Sequence, residues 1–184
     1  MRKHPFIPFG IAAAVLALAG CASNPPMPPV AHVELSRFMG DWYVIASIPS
    51  FMERTAYNAM ESYDLRQDGK IQTTFRYRDG GFDAKLKSMH PVGTVTAGSS
   101  NAVWGMQFIW PIEAEYVIAD LDPNYQTVIV GRTKRDYVWI MARTPTIPDT
   151  QYNMLTAKVQ ALGYPLDELR KVPQQWPEKS EPSE

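Results

Sequence analysis

From residue 42 onward, hydrophobic and polar positions alternate in short runs separated by turn-forming residues. The runs are Trp42 to Ile48, ended by Pro49, then Tyr57 to Arg66 and Ile71 to Arg78. Phe82 to Ser88 and Gly93 to Ala97 follow as one strand interrupted at Pro91. Ala102 to Trp110, Glu115 to Leu121, Tyr125 to Arg132 and Tyr137 to Arg143 complete the series. Asp68-Gly69 and Asp79-Gly80-Gly81 are hairpin signals, and Asp122-Pro123-Asn124 and Lys134-Arg135-Asp136 also read as turns. The pattern predicts about eight antiparallel strands paired in chain order. Gly40 before Trp42 suits the floor of a small closed barrel, where the chain bends sharply and a large ring fills the tapered end.

The period then changes. Tyr152, Leu155, Val159 and Leu162 recur on one helical face, Asp149 or Thr150 is placed to cap its start, and Gly163 suits a left-handed stop. A lone amphipathic helix beside strands must bury its stripe on the outside of the strand body. Leu166 to Val172 reads as an added turn, and 178–184 as a frayed tail.

The chain starts differently. Arg2, Lys3 and His4 precede the apolar run Ile11–Ala19, and Leu18-Ala19-Gly20-Cys21 follows. The run is too short to remain as a membrane span and has the anatomy of a cleavable signal, 1–20. Cys21 is the only cysteine, so no internal disulfide forms and an exported thiol needs a use. Leu-Ala-Gly-Cys resembles the bacterial lipobox, which implies that Cys21 is acylated and, with Ala22 after it, directed to the outer membrane. A plain secretory signal is the alternative. Residues 21–33 include Pro25-Pro26-Met27-Pro28-Pro29 and read as a lipidated proline-rich tether. The folded domain is then 34–177.

Composition removes several function classes. Lys and Arg number 18 against 19 Asp and Glu, so there is no global pull toward nucleic acid. His32 and His90 are far apart, with no metal-ligand spacing, phosphate loop or nucleophile elbow, so neither metal nor cofactor is expected. No nucleophile–base pair is recognisable, so an enzyme is not expected.

Three further segments carry a resemblance. Gly40-Asp41-Trp42-Tyr43-Val44-Ile45-Ala46, Tyr116–Tyr125 with Asp120-Leu121-Asp122-Pro123-Asn124, and Asp136–Pro145 with Arg143 resemble the three motifs of the lipocalin family. Together with the lipobox they are similar to the bacterial outer-membrane lipocalins related to apolipoprotein D, over about Leu35 to Trp176. The resemblance implies an all-β, eight-stranded up-and-down barrel with one C-terminal helix outside. It also implies that Arg143 lies on Trp42 at the barrel floor. Met89-His90-Pro91-Val92-Gly93 departs from the pattern and leaves the register of the fourth strand open.

Alternation extended from Trp42 points Val44 and Ala46 inward, then Tyr63 and Leu65, with Glu61 nearer the mouth. Trp104, Met106, Phe108 and Trp110 share one face, and Tyr116, Ile118, Trp139 and Met141 complete the lining. The expected ligand-binding set is Tyr63, Trp104, Met106, Phe108, Trp110, Tyr116, Trp139 and Met141. Aromatic and thioether surface of this kind suits an acyl chain, although side chains can also fill a small barrel completely. Phe51 and Met52 fall at the mouth, and Tyr57, Glu61, Arg76 and Tyr77 are head-group candidates.

The leading function is a carrier of fatty acids or lysophospholipids, held at the outer membrane through Cys21 with its barrel in the periplasm. The alternative is an envelope structural or interaction lipoprotein with a filled barrel. The resemblance also allows a homodimer near the mouth.

Overall fold

The computed structural model describes residues 23–178. The predicted signal, Cys21 and residues 179–184 of the predicted tail lie outside that range. A short helix α1 (Leu35–Phe38) leads into β1 (Gly40–Ile48), β2 (Ala56–Leu65) and β3 (Ile71–Asp79). β4 (Leu86–Met89) and β5 (Val92–Val95) both pair with β3 and form one strand broken at His90-Pro91, where proline removes a ladder donor. β6 (Val103–Ile109), β7 (Ile112–Leu121), β8 (Thr127–Gly131) and β9 (Val138–Ala142) follow in order, all antiparallel. β9 pairs back onto β1, with Tyr43 opposite Ala142 and Ser47 opposite Trp139. The sheet is therefore a closed eight-stranded barrel.

Alternation divides the apolar residues into two clusters. Trp42, Tyr63, Ile71, Trp104, Ile118, Val130 and Met141 pack inside. Val117, Ile129, Val138, Ile140 and Ala142 face outward, where α2 (Asp149–Ala161) covers them with Leu155 and Val159. Burying each of those two side chains contributes about 2 kcal/mol. Because β8 is covered on both faces, all five of its residues are buried. The helix starts at Asp149 with Pro148 before it and no side-chain cap, so Asp149 assists through its charge at the positive helix end. Gly163 takes φ +92°, as a left-handed stop requires.

Three local expectations change, and the expected turn at 166–172 is extended. Ala46 faces outward, because β1 carries a bulge between Val44 and Ala46 that inverts the alternation beyond it. The proline-rich stretch is laid on the barrel rather than free. Met27 is buried to 3% exposure and Val33 completely, while the Val30 amide donates to the Ile118 carbonyl at 2.9 Å. Residues 166–172 supply a 3-10 turn and a short strand β10 (Arg170–Lys171) along β1. Glu178, expected to begin the frayed tail, is ion-paired with Arg76 and Arg78.

Candidate functional site

The barrel floor is built on one cation. The Arg143 guanidinium lies 3.8 Å from the centre of the Trp42 ring. Its Nη2 donates to the carbonyls of Arg37, Phe38 and Met39 at 2.8–3.0 Å, and its Nη1 donates to that of Asp41 at 2.8 Å. Those carbonyls belong to the end of α1, the turn after it and the start of β1, so one side chain ties several acceptors of the closed end together. Gly40 is required here: φ is +90°, and a Cβ would meet Arg143 Nη1 at 3.4 Å. The Trp42 indole N–H donates to the Phe38 carbonyl at 2.8 Å.

Above Trp42 the interior is filled with rings. Phe38 sits 5.1 Å from Trp42, 5.5 Å from Tyr63 and 5.4 Å from Trp104. Trp104 stacks on Tyr116 at 5.0 Å. The floor half of the barrel is thus packed solid.

The mouth half is not. A cavity of about 200 Å³ opens there, walled mainly by Met52, Phe75, Met89, Met106, Phe108 and Trp139. Thioethers and rings of this kind adapt to flexible apolar guests. Tyr116, Glu61 and Glu53 form its polar base. The Tyr63 hydroxyl bonds Glu61 and lies 2.7 Å from the Tyr116 hydroxyl, while Trp139 Nε1 donates to Glu53 at 3.2 Å. Glu53 is further held by the Ser50 amide at 2.9 Å. Burial pushes the Glu61 carboxyl up to about 8, with the neighbouring Glu53 charge adding to the shift, so Glu61 is neutral at pH 7. Burial, and Glu61 after it, raise the Tyr116 hydroxyl as well.

Residues 33–174 match the family model of the lipocalin-like domain. The chain is a lipocalin. It is 29% identical over 160 residues to temperature-induced lipocalin-1 of Arabidopsis thaliana, covering 80% of this chain and 83% of that one. It is 29% identical over 164 residues to the outer membrane lipoprotein Blc of Citrobacter freundii, covering 86% and 92% respectively. Among solved structures, insecticyanin from the tobacco hornworm Manduca sexta superposes with a TM-score of 0.64 at 13% identity. That match covers 84% of this chain and 88% of that one, and it speaks to the fold alone. Among its relatives the bacterial Blc lipoproteins recur at 28–29% identity, and lipocalins bind small hydrophobic ligands.

Within this lipocalin the eight expected ligand contacts separate by depth. Met106, Phe108, Tyr116 and Trp139 line the cavity. Tyr63, Trp104 and Met141 are fully buried in the packed floor half, where a ligand would have to displace rings. Trp110 is 80% exposed at the β6–β7 hairpin, because the strand ends at Ile109 and its alternation stops there. Leu65, expected inward, is half exposed at the end of β2. Of the head-group candidates only Glu61 lines the cavity. Arg76 lies on the outer face with Glu178 and 5.1 Å from the Trp176 ring, and Tyr57 packs on Phe82. Tyr77 is buried against Phe75. Glu53, Phe75 and Met89 line the cavity as well, beyond the residues that alternation singles out. Glu53 carries a readable signal, since Ser50 three residues before it forms a capping box that turns the carboxylate toward the mouth.

Proposed function

We propose that this lipocalin carries single-chain lipids, fatty acids or lysophospholipids, at the bacterial outer membrane, anchored through acylated Cys21 with the barrel in the periplasm. The observation that supports this reading is the cavity of about 200 Å³ with its thioether and aromatic wall. That space is below the ~300 Å³ at which drug-sized ligand pockets begin, so it takes part of a chain and leaves the rest at the mouth. About six buried methylenes contribute roughly 5 kcal/mol, enough for useful affinity after ordering costs.

Polarity sets the direction of entry. A ligand carboxylate or phosphate driven down to Glu61 would be desolvated beside an acid, with no cation to receive it. The tail enters first and the head group stays in water. Arg132 also borders the cavity, but near its entrance, ion-paired to Asp136 at 3.2 Å. The role proposed is binding and delivery rather than catalysis.

An envelope interaction lipoprotein with a filled barrel is the second reading, favoured by the packed floor half alone. Intrinsic tryptophan fluorescence titrated with palmitate and with lysophosphatidylethanolamine separates the two. Saturable change, lost on narrowing the cavity with Ala114→Phe, supports the carrier. No response to either lipid sinks it.

A further inference from the structure

We infer that the open end of the barrel is a membrane-docking surface, set mouth-down on the lipid layer that holds Cys21; the orientation rests on the lipid-anchor reading above. Six of the eight large hydrophobic side chains exposed among the described residues lie at this one end. Phe51 and Met52 project from the loop after β1, and Phe108, Ile109, Trp110 and Ile112 from the β6–β7 hairpin. Scattered exposed apolar residues need no explanation, but a cluster on two loops around a cavity does. Indole and phenyl rings at the tips of such loops suit the head-group zone of a bilayer.

The path of the N-terminal segment points the same way. Asn24 Nδ2 donates to the Lys134 carbonyl at 3.0 Å, Arg135 Nη1 to the Pro25 carbonyl at 2.9 Å, and the Met27 amide to Thr133 Oγ1 at 3.1 Å. These partners form the loop between β8 and β9 at the mouth. The Val33 amide donates to the Ser100 carbonyl at 3.0 Å, in the turn between β5 and β6 at the floor. The segment therefore runs down the barrel wall from mouth to floor, and its upstream end is at the mouth. Cys21 is three residues before Asn24, so it reaches at most about 11 Å from it. A lipid on Cys21 then holds the mouth against the membrane, not the floor. Exposed Arg54 and Lys134 at the same end suit anionic head groups. A lipid tail would pass between bilayer and cavity without crossing open water.

The test uses the full chain, exported and acylated in a bacterial host. It is reconstituted in vesicles of phosphatidylethanolamine and phosphatidylglycerol with brominated acyl chains. Bromine quenches an indole only at close range. The Trp110 signal, read as the wild type minus Trp110→Phe, should be quenched, while the emission left in a Trp110→Phe, Trp139→Phe chain, which comes from the floor rings and Trp176, should be quenched far less. Phe51→Asp with Trp110→Asp should leave the protein anchored and its far-ultraviolet circular dichroism unchanged. In the unanchored Cys21→Ser chain, the same pair should weaken vesicle binding by at least about tenfold. An anchored, folded protein whose Trp110 is not quenched overturns the inference. So does a dimer that shields Trp110 from lipid, or a chain that is never acylated. Lipid extracted from the same sample reads the cavity separately. Quenched Trp110 with no bound lipid sinks the carrier reading alone, and bound lipid with unquenched Trp110 sinks the docking alone.

Discussion

Arg143 lies 3.8 Å above the ring of Trp42 and donates to the carbonyls of Arg37, Phe38, Met39 and Asp41. The pair joins the last strand to the first at the point where the barrel must close. Arg143→Ala removes the stacked cation and its hydrogen bonds to those carbonyls, of which only that of Phe38 keeps a side-chain donor, the Trp42 indole. Urea unfolding should show a loss of about 3 kcal/mol. Arg143→Lys keeps the charge but not the planar fork, and should recover only part of that loss. Full stability in Arg143→Ala would mean that the floor closes without it.

Glu61 makes stability depend on pH with a definite sign. Its carboxyl holds a proton up to about pH 8 in the folded chain, whereas the ordinary value of 4.5 applies once unfolded. Between these limits the unfolded state has released the proton and the folded state has not, so stability is fully present below about 4.5 and falls as pH rises to about 8. The fall should amount to a few kcal/mol for this fully buried group. Glu61→Gln should remove most of the slope and be the more stable form at pH 8. Parallel slopes in the two proteins would place Glu61 in a wetter site.

Trp139 and Trp110 should behave oppositely towards lipid in solution. Trp139 borders the cavity and orients Glu53, so Trp139→Ala should weaken binding about tenfold, measured by calorimetry with lysophosphatidylethanolamine. Trp110→Ala, at the exposed hairpin, should leave the same affinity unchanged. Equal losses would mean that the hairpin folds over bound lipid.

Met27 tests whether the proline-rich segment belongs to the folded body. It is buried against Gly131 and Tyr164 beneath the outer cluster. Met27→Asp should cost about 3 kcal/mol through a buried unpaired charge. A free spacer would tolerate it without any change.

Much of this was readable in the chain. Closure and strand order follow from the period-two runs, and the Trp42–Arg143 pair from the resemblance of the segments around the two residues to lipocalin motifs. The misplaced residues sit where a local rule met a longer-range one. Ala46 turned outward because the bulge at Val44/Ala46 is set by pairing with β9, which nothing within β1 announces. Alternation extended past the end of β6 points Trp110 inward, but the strand stops at Ile109. Proline-rich backbone forms no ladder and reads as a spacer, yet the Met27 side chain is buried by packing against the outer face of the sheet. Depth was the least legible property. Parity says which side chains point inward, but only the mutual packing of Phe38, Tyr63, Trp104 and Tyr116 decides that the floor half is filled.

The central claim is a mouth-half hollow that holds the tail of a single-chain lipid. Native mass spectrometry of the protein, taken from membranes and again after adding lysophosphatidylethanolamine, tests it most directly. One lipid per chain should remain bound, and Ala114→Phe, which narrows the hollow, should lose it while staying folded. A protein that retains no lipid, or an Ala114→Phe chain that binds as the wild type does, would contradict the account.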